Sequence, residues 1–131
     1  MKYDKTNLHI YKMDDCEWWL SHLSIEETRE LFIKEYGLNE NECPIDEIYE
    51  ENIDIYYRYK KIDDKNVIKE LMSTTINFDK NFNTNKFKLN NKVYRCINGN
   101  WYEAQFINRI LEIDGEYTEP YLVACIEYWL K

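Results

Sequence analysis

Residues Ile10–Glu27 read IYKMDDCEWWLSHLSIEE, and this run decides the fold class. With Leu8 just before it, the run opens on branched and aromatic side chains that suit a pleated, half-buried strand. Asp14-Asp15 ends the strand, because aspartate side chains compete for nearby backbone groups and favour turns. Ser24-Ile25-Glu26-Glu27 then reads as a capping box. The Ser24 hydroxyl takes the Glu27 N–H, and the Glu27 carboxylate reaches back to the Ser24 N–H. Glu26, Glu27 and Glu30 suit the positive end of the helix dipole, and Gly37 suits a left-handed stop. The pattern predicts a helix over Ser24–Tyr36. Its stripe of Ile25, Arg29, Phe32 and Tyr36, flanked by Leu31 and Ile33, packs on the preceding strand. Trp18 and Trp19 fall in the connection, where at least one covers the edge of the core.

Outward from that run, strands and helices are mixed. Leu38–Pro44 reads as a polar connection, and Asp46–Glu51 as a short helix capped by Asp46. Ile53–Lys60 alternates, which predicts a strand with Ile53, Ile55, Tyr57 and Tyr59 inward and Asp54, Tyr56, Arg58 and Lys60 outward. Asp63-Asp64 opens a turn before a short helix over Val67–Ser73. Phe78–Asn91, rich in Asn and Lys with isolated Phe82 and Phe87, reads as a long loop or an irregular hairpin. Lys92–Ile97 and Asn100–Tyr102 flank Asn98-Gly99, a two-residue hairpin signal. Glu103–Ile113 fits a helix with a stripe of Phe106, Ile107, Ile110 and Ile113, stopped by Asp114-Gly115. Pro120 opens a last strand, Tyr121–Tyr128, whose two apolar faces predict a central place in the sheet. The expected fold is α+β: a single domain over residues 1–131, one largely antiparallel sheet covered by helices on one side, and a loop or hairpin insertion near residues 65–100.

Composition narrows the classes of function. At 131 residues with 44% apolar and 16% aromatic side chains, the chain has material for a real core. No apolar run reaches membrane length and no signal peptide is apparent, so a cytoplasmic protein with no membrane partner is expected. The net charge of −8 argues against direct nucleic-acid binding and for a basic partner. Charge is also segregated. Glu35–Tyr57 holds eight acids (Glu35, Glu40, Glu42, Asp46, Glu47, Glu50, Glu51 and Asp54) and no Lys or Arg. Lys80–Tyr102 holds five bases, Lys80, Lys86, Lys88, Lys92 and Arg95, and no acid. That basic, aromatic-laced segment leaves only a weak phosphate footprint in so acidic a chain.

Site chemistry is sparse. Cys16 and His22 are a candidate nucleophile and base, but no third group is placed to orient the base. Cys16, Cys43, Cys96 and Cys125 are dispersed and, with His9 and His22, show no zinc spacing. They read as free thiols, with no metal and no disulfide expected. Asp14, Asp15 and Glu17 offer oxygen ligands to a divalent cation, although adjacent acids at a strand end are also ordinary turn chemistry. Three glycines cannot build a glycine-rich phosphate cradle, so no cofactor is expected.

The DDCEWW run, the S-I-E-E helix start, the Asp46–Glu50 stretch and the closing PYLVACIEY resemble a group of small proteins encoded by tailed bacteriophages and prophages. Those proteins share a strand ending near D-C-D/E-W, a helix opening S-L-E-x-A, a D-E-x-x-x box and a last strand close to F-x-A-S-T-E-Y. The corresponding pieces here are Asp15–Trp19, Ser24–Thr28, Asp46–Glu50 and Tyr121–Tyr128, the last reading A-C-I-E-Y instead of A-S-T-E-Y. Residues from about Lys65 to Asn100 lie outside the match. The resemblance implies a setting, the cytoplasm of an infected bacterium, and no common activity.

Two functions of different class follow. The first is a non-enzymatic, anti-CRISPR-like inhibitor of a host defence or nucleic-acid-handling enzyme. It would bind a basic surface through Glu40, Glu42, Asp46, Glu47, Glu50, Glu51 and Asp54. The alternative is a small-molecule or nucleotide binder, or a small enzyme, with a site among Cys16, Glu17, Trp18, His22, Tyr94, Trp101 and Tyr102. A deep pocket lined by the second set favours the second reading; an acidic face without one favours the first.

Overall fold

The structure is a computed structural model describing residues 3–74, 87–97 and 99–125. The elements in chain order are β1 (His9–Lys12), β2 (Glu17–Ser21), α1 (Ile25–Tyr36), two 3₁₀ turns (Glu40–Glu42 and Ile45–Glu47), β3 (Tyr49–Glu51), β4 (Tyr57–Lys61), α2 (Lys65–Thr74), β5 (Phe87–Leu89), β6 (Lys92–Ile97), β7 (Asn100–Phe106), α3 (Ile107–Asp114) and β8 (Tyr121–Cys125). The class is α+β, with the antiparallel strands shared between two four-stranded sheets ordered β3-β1-β2-β8 and β4-β7-β6-β5. The chain forms two compact units: the described residues up to Tyr56 together with those from Phe106 onward, and the described residues from Tyr57 to Gln105. No helix among the described residues is long and apolar enough to cross a membrane.

The first unit is built on the opening run. In β1 and β2 consecutive residues are apolar, so both faces of the sheet need cover. Ile10 and Leu20 point to one face, where Ile107 and Ile110 of α3 join Leu8, Tyr56, Tyr117, Val123 and Ala124. Tyr11 and Trp19 point to the other, where Phe32 of α1 joins Met13, Cys43 and Ile48, with the Trp19 and Phe32 rings 5.6 Å apart. Helices therefore lie against both faces rather than one. The tryptophan pair sits inside β2, not in the connection. Opposite it, β8 carries a bulge: Trp18 faces Ala124 while Trp19 faces Leu122, leaving Val123 as the extra residue. β8 ends the sheet among the described strands instead of lying at its centre, and residues 126–128 of the expected last strand lie outside the described residues.

α1 begins and ends where the sequence places it. The Ser24 hydroxyl accepts the Glu27 N–H at 3.2 Å and donates to the Glu27 carboxylate at 3.0 Å, so the carboxylate reaches the hydroxyl and not the backbone. Gly37 sits at φ +62°, and the Leu38 N–H closes the last turn on the Ile33 carbonyl at 2.9 Å.

The second unit pairs β6 with β7 and β5 with β6. Asn90 and Asn91, both at positive φ, make the two-residue turn between β5 and β6. Gly99, at φ +83°, stands in the β6–β7 turn; Asn98 lies outside the described residues, as do Lys80, Phe82 and Lys86 of the basic segment. α2 is capped by Asp64, whose carboxylate accepts the Asn66 and Val67 N–H groups at 2.9 and 3.3 Å. Its Leu71 packs with Tyr94, Cys96 and Trp101.

Three further expectations fail in physically informative ways. Ile53–Ile55 is not a strand: Ile55 is 69% exposed, β4 starts at Tyr57, and Tyr56 and Arg58 are buried. Glu103–Phe106 is strand, because Trp101–Gln105 is buried at every position and serves both faces of the sheet. The helix expected over Asp46–Glu51 is a 3₁₀ turn running into β3, with Pro44 and not Asp46 at its start.

Candidate functional site

The acidic connection between α1 and β4 is the best-defined surface feature of the first unit. Its backbone is held by Arg29 of α1, whose Nε donates to the Cys43 carbonyl at 2.6 Å and whose Nη2 donates to the Glu40 carbonyl at 3.0 Å. Cys43 and Ile48 anchor it in the core beneath α1. The guanidinium therefore fixes the path of the chain through carbonyls and leaves the carboxylates unneutralised. Glu40, Glu42, Asp46, Glu47, Glu50 and Asp54 are exposed and Glu51 is half-buried. Glu42 accepts the Asn39 N–H at 3.0 Å, Glu50 lies 2.7 Å from His9 Nδ1, and Asp54 lies 3.2 Å from Lys5 Nζ. Glu40, Asp46, Glu47 and Glu51 make no ion pair among the described residues.

The fold brings two further acids to this segment. Asp14 and Asp15, from the turn between β1 and β2, join Glu42, Glu47 and Tyr49 around a cleft of about 270 Å³. Asp14 is set by its own turn, accepting the Cys16 and Glu17 N–H groups at 2.9 and 2.8 Å. The one basic residue lining the cleft is Lys12, whose ammonium lies 5.4 Å from the Trp18 ring and 5.6 Å from the Tyr49 ring. Four carboxylates thus face one ammonium that is already engaged by two rings. No group of three or more His, Cys, Asp or Glu among the described residues is arranged to hold a metal ion, so Asp14, Asp15 and Glu17 do not form the oxygen cage considered above.

The other candidate residues are dispersed. Cys16 and His22 stand at opposite ends of β2, about 20 Å apart at about 3.3 Å per residue. Partial burial and then the Asp14 carboxylate push the Cys16 thiol up to about 11, which disfavours a nucleophilic thiolate. His22 is engaged in the fold: its Nδ1 lies 2.8 Å from the Tyr117 hydroxyl, which also accepts its backbone N–H at 2.9 Å. Glu17 accepts the Tyr36 hydroxyl at 2.9 Å. Trp18 packs at the core edge and against Lys12. Tyr94, Trp101 and Tyr102 belong to the second unit, each at most 4% exposed, and Trp101 and Tyr102 point to opposite faces of its sheet.

Two other clefts lie among the described residues. One of about 280 Å³ in the second unit is lined by Trp101, Ile68, Met72, Lys61 and Lys65. One of about 410 Å³ in the first unit lies among Trp19, Leu31, Lys34, Glu35, Glu119 and Pro120. Cys16, Glu17, Trp18, His22, Tyr94 and Tyr102 line none of the three clefts. Sequence reasoning missed Lys12 and Tyr49 because their role depends on which strand lies beside β1; a three-residue strand reading Tyr-Glu-Glu has no apolar alternation to announce it. It missed the role of Arg29 because bonds to backbone carbonyls leave no side-chain pattern in the sequence. All four cysteines are free thiols. Comparison with protein-family models, with curated proteins and with solved structures finds no match for this chain.

Proposed function

We propose that this protein is a non-enzymatic interaction protein that docks through its acidic connection onto a basic surface of a nucleic-acid-handling or defence enzyme and inhibits it. The observation that carries this reading is a frame in which the local arginine holds backbone carbonyls while the carboxylates face solvent. A basic groove lined for phosphates offers the complementary charge, and relief of self-repulsion on docking favours association. The bacteriophage setting, and with it the cytoplasm of an infected bacterium, rests on the resemblance of the D-C-E-W and S-I-E-E segments. The alternative, a small-ligand site among the aromatic residues, has less support, because most of those side chains are taken up in packing.

The test is capture of the partner from bacterial lysate, followed by its affinity for the wild type and for Glu47→Lys/Glu50→Lys/Glu51→Lys at low and high salt. Glu47 and Glu50 are exposed and Glu51 is half-buried, so the triple variant is expected to stay folded, with an unfolding free energy within about 1 kcal/mol of the wild type. Its association is expected to slow at least tenfold at low salt, an advantage of the wild type that vanishes as the Debye length falls from about 10 Å at 0.1 M to about 3 Å at 1 M. Equal affinities in all four conditions would falsify the acidic-surface mechanism.

A further inference from the structure

Among the described strands, β3 ends its sheet. β3 pairs with β1 on one side, Ile10 facing Glu51, Tyr11 facing Glu50 and Lys12 facing Tyr49. Backbone groups alternate in direction along a strand, and those of β3 that point away from β1 meet no backbone partner among the described residues. An open strand edge is a template for another strand. The side chains along it indicate which one.

The cross-strand row at the cleft end runs Trp18 on β2, Lys12 on β1 and Tyr49 on β3. It alternates ring, cation, ring, with the Lys12 ammonium within 5.6 Å of both ring centres. Tyr49 is 50% exposed, so its outer side is available for the next rung, which the alternation makes a cation. The neighbouring rungs end on Glu50 and Glu51, each of which favours a basic residue directly opposite. Three successive rungs therefore select the same charge. A second copy of this chain is the wrong occupant, since pairing β3 with itself would set carboxylates against carboxylates.

We propose that β3 is extended by an extended segment of the partner carrying three consecutive basic residues, added to the sheet as a strand. The inference rests on the acidic-surface reading and specifies how the partner is engaged: main-chain hydrogen bonds to Tyr49–Glu51, with one basic side chain over the Tyr49 ring and beside the cleft of Asp14, Asp15, Glu42 and Glu47.

The experiment uses the full chain and two synthetic peptides of equal charge. One is Thr-Val-Lys-Arg-Lys-Val-Thr; the other has the same sequence with its three central amides N-methylated, which removes the donors a ladder needs. Affinity is measured by calorimetry at low ionic strength, and exchange of the Tyr49, Glu50 and Glu51 amides is followed by NMR. The parent peptide is expected to bind about tenfold or more tightly than its methylated form and to slow exchange at one or more of these amides about tenfold. Equal affinities with unchanged exchange would overturn strand addition and leave the acidic-surface reading intact, because charge alone would then suffice. Failure of both peptides to bind would overturn the two together.

Discussion

Charge is handled in opposite ways by the acidic connection of the first unit and the β4–β7 strand pair of the second. In the connection, Glu40, Asp46 and Glu47 stand in solvent without ion-pair partners among the described residues, and the segment is held by its backbone. In the strand pair, Arg58, Glu103 and Gln105 are 3%, 4% and 2% exposed. Arg58 Nε donates to Gln105 Oε1 at 2.9 Å, and Gln105 Nε2 donates to Glu103 Oε1 at 3.4 Å. Charge withdrawn from water must be met by other polar groups, so the interior trio is tied to the stability of its unit. Charge left in water is tied to nothing local and is free to serve an external partner.

The largest effect should therefore fall on the interior trio. Arg58→Ala is expected to cost about 3–5 kcal/mol in urea unfolding, because buried Gln105 loses its Arg58 donor and the Glu103 carboxylate is left as the one charge of the trio. Arg58→Met combined with Glu103→Leu is expected to regain much of that loss, since the demand and its answer are removed together. A single-variant cost under about 1 kcal/mol would erase the contrast between interior and displayed charge.

The next effect marks where one unit ends and the other begins. Tyr56, 7% exposed in the first core, should lose about 3 kcal/mol on replacement by alanine, and half-buried Tyr57 distinctly less. The reverse order in melting or urea experiments would restore an alternating strand from Ile53 and move the boundary. Smallest is the α1 cap: Ser24→Ala should cost about 1 kcal/mol, read from the same urea midpoints. An unchanged midpoint would mean that the helix beside the acidic connection is held by packing alone.

The α1 boundaries were legible because the signals are local: a serine three residues before Glu27, and Gly37 at the end. The pattern over Ile53–Lys60 misleads for the opposite reason. Its alternation is real in the sequence, but a turn at Ile53–Ile55 and burial of Arg58 by cross-strand partners override it. β3 escaped notice because a three-residue acidic strand is defined only by its neighbour. The acidic set itself was legible as a charge run. Its enlargement by Asp14 and Asp15 was not, because it requires the β1–β2 turn to fold back beside residues about thirty positions further along the chain.

The grip of Arg29 on the Glu40 and Cys43 carbonyls makes shape and lettering separable along this connection. Carbonyls are supplied by every residue type, so the path of the loop does not depend on which side chains it carries. A collection of variants randomised at Glu40, Asp46 and Glu47 should hold one backbone and differ only in what it shows the outside. Arg29 is the hinge pin of that arrangement: replacing it would shift every letter at once, without altering any of them.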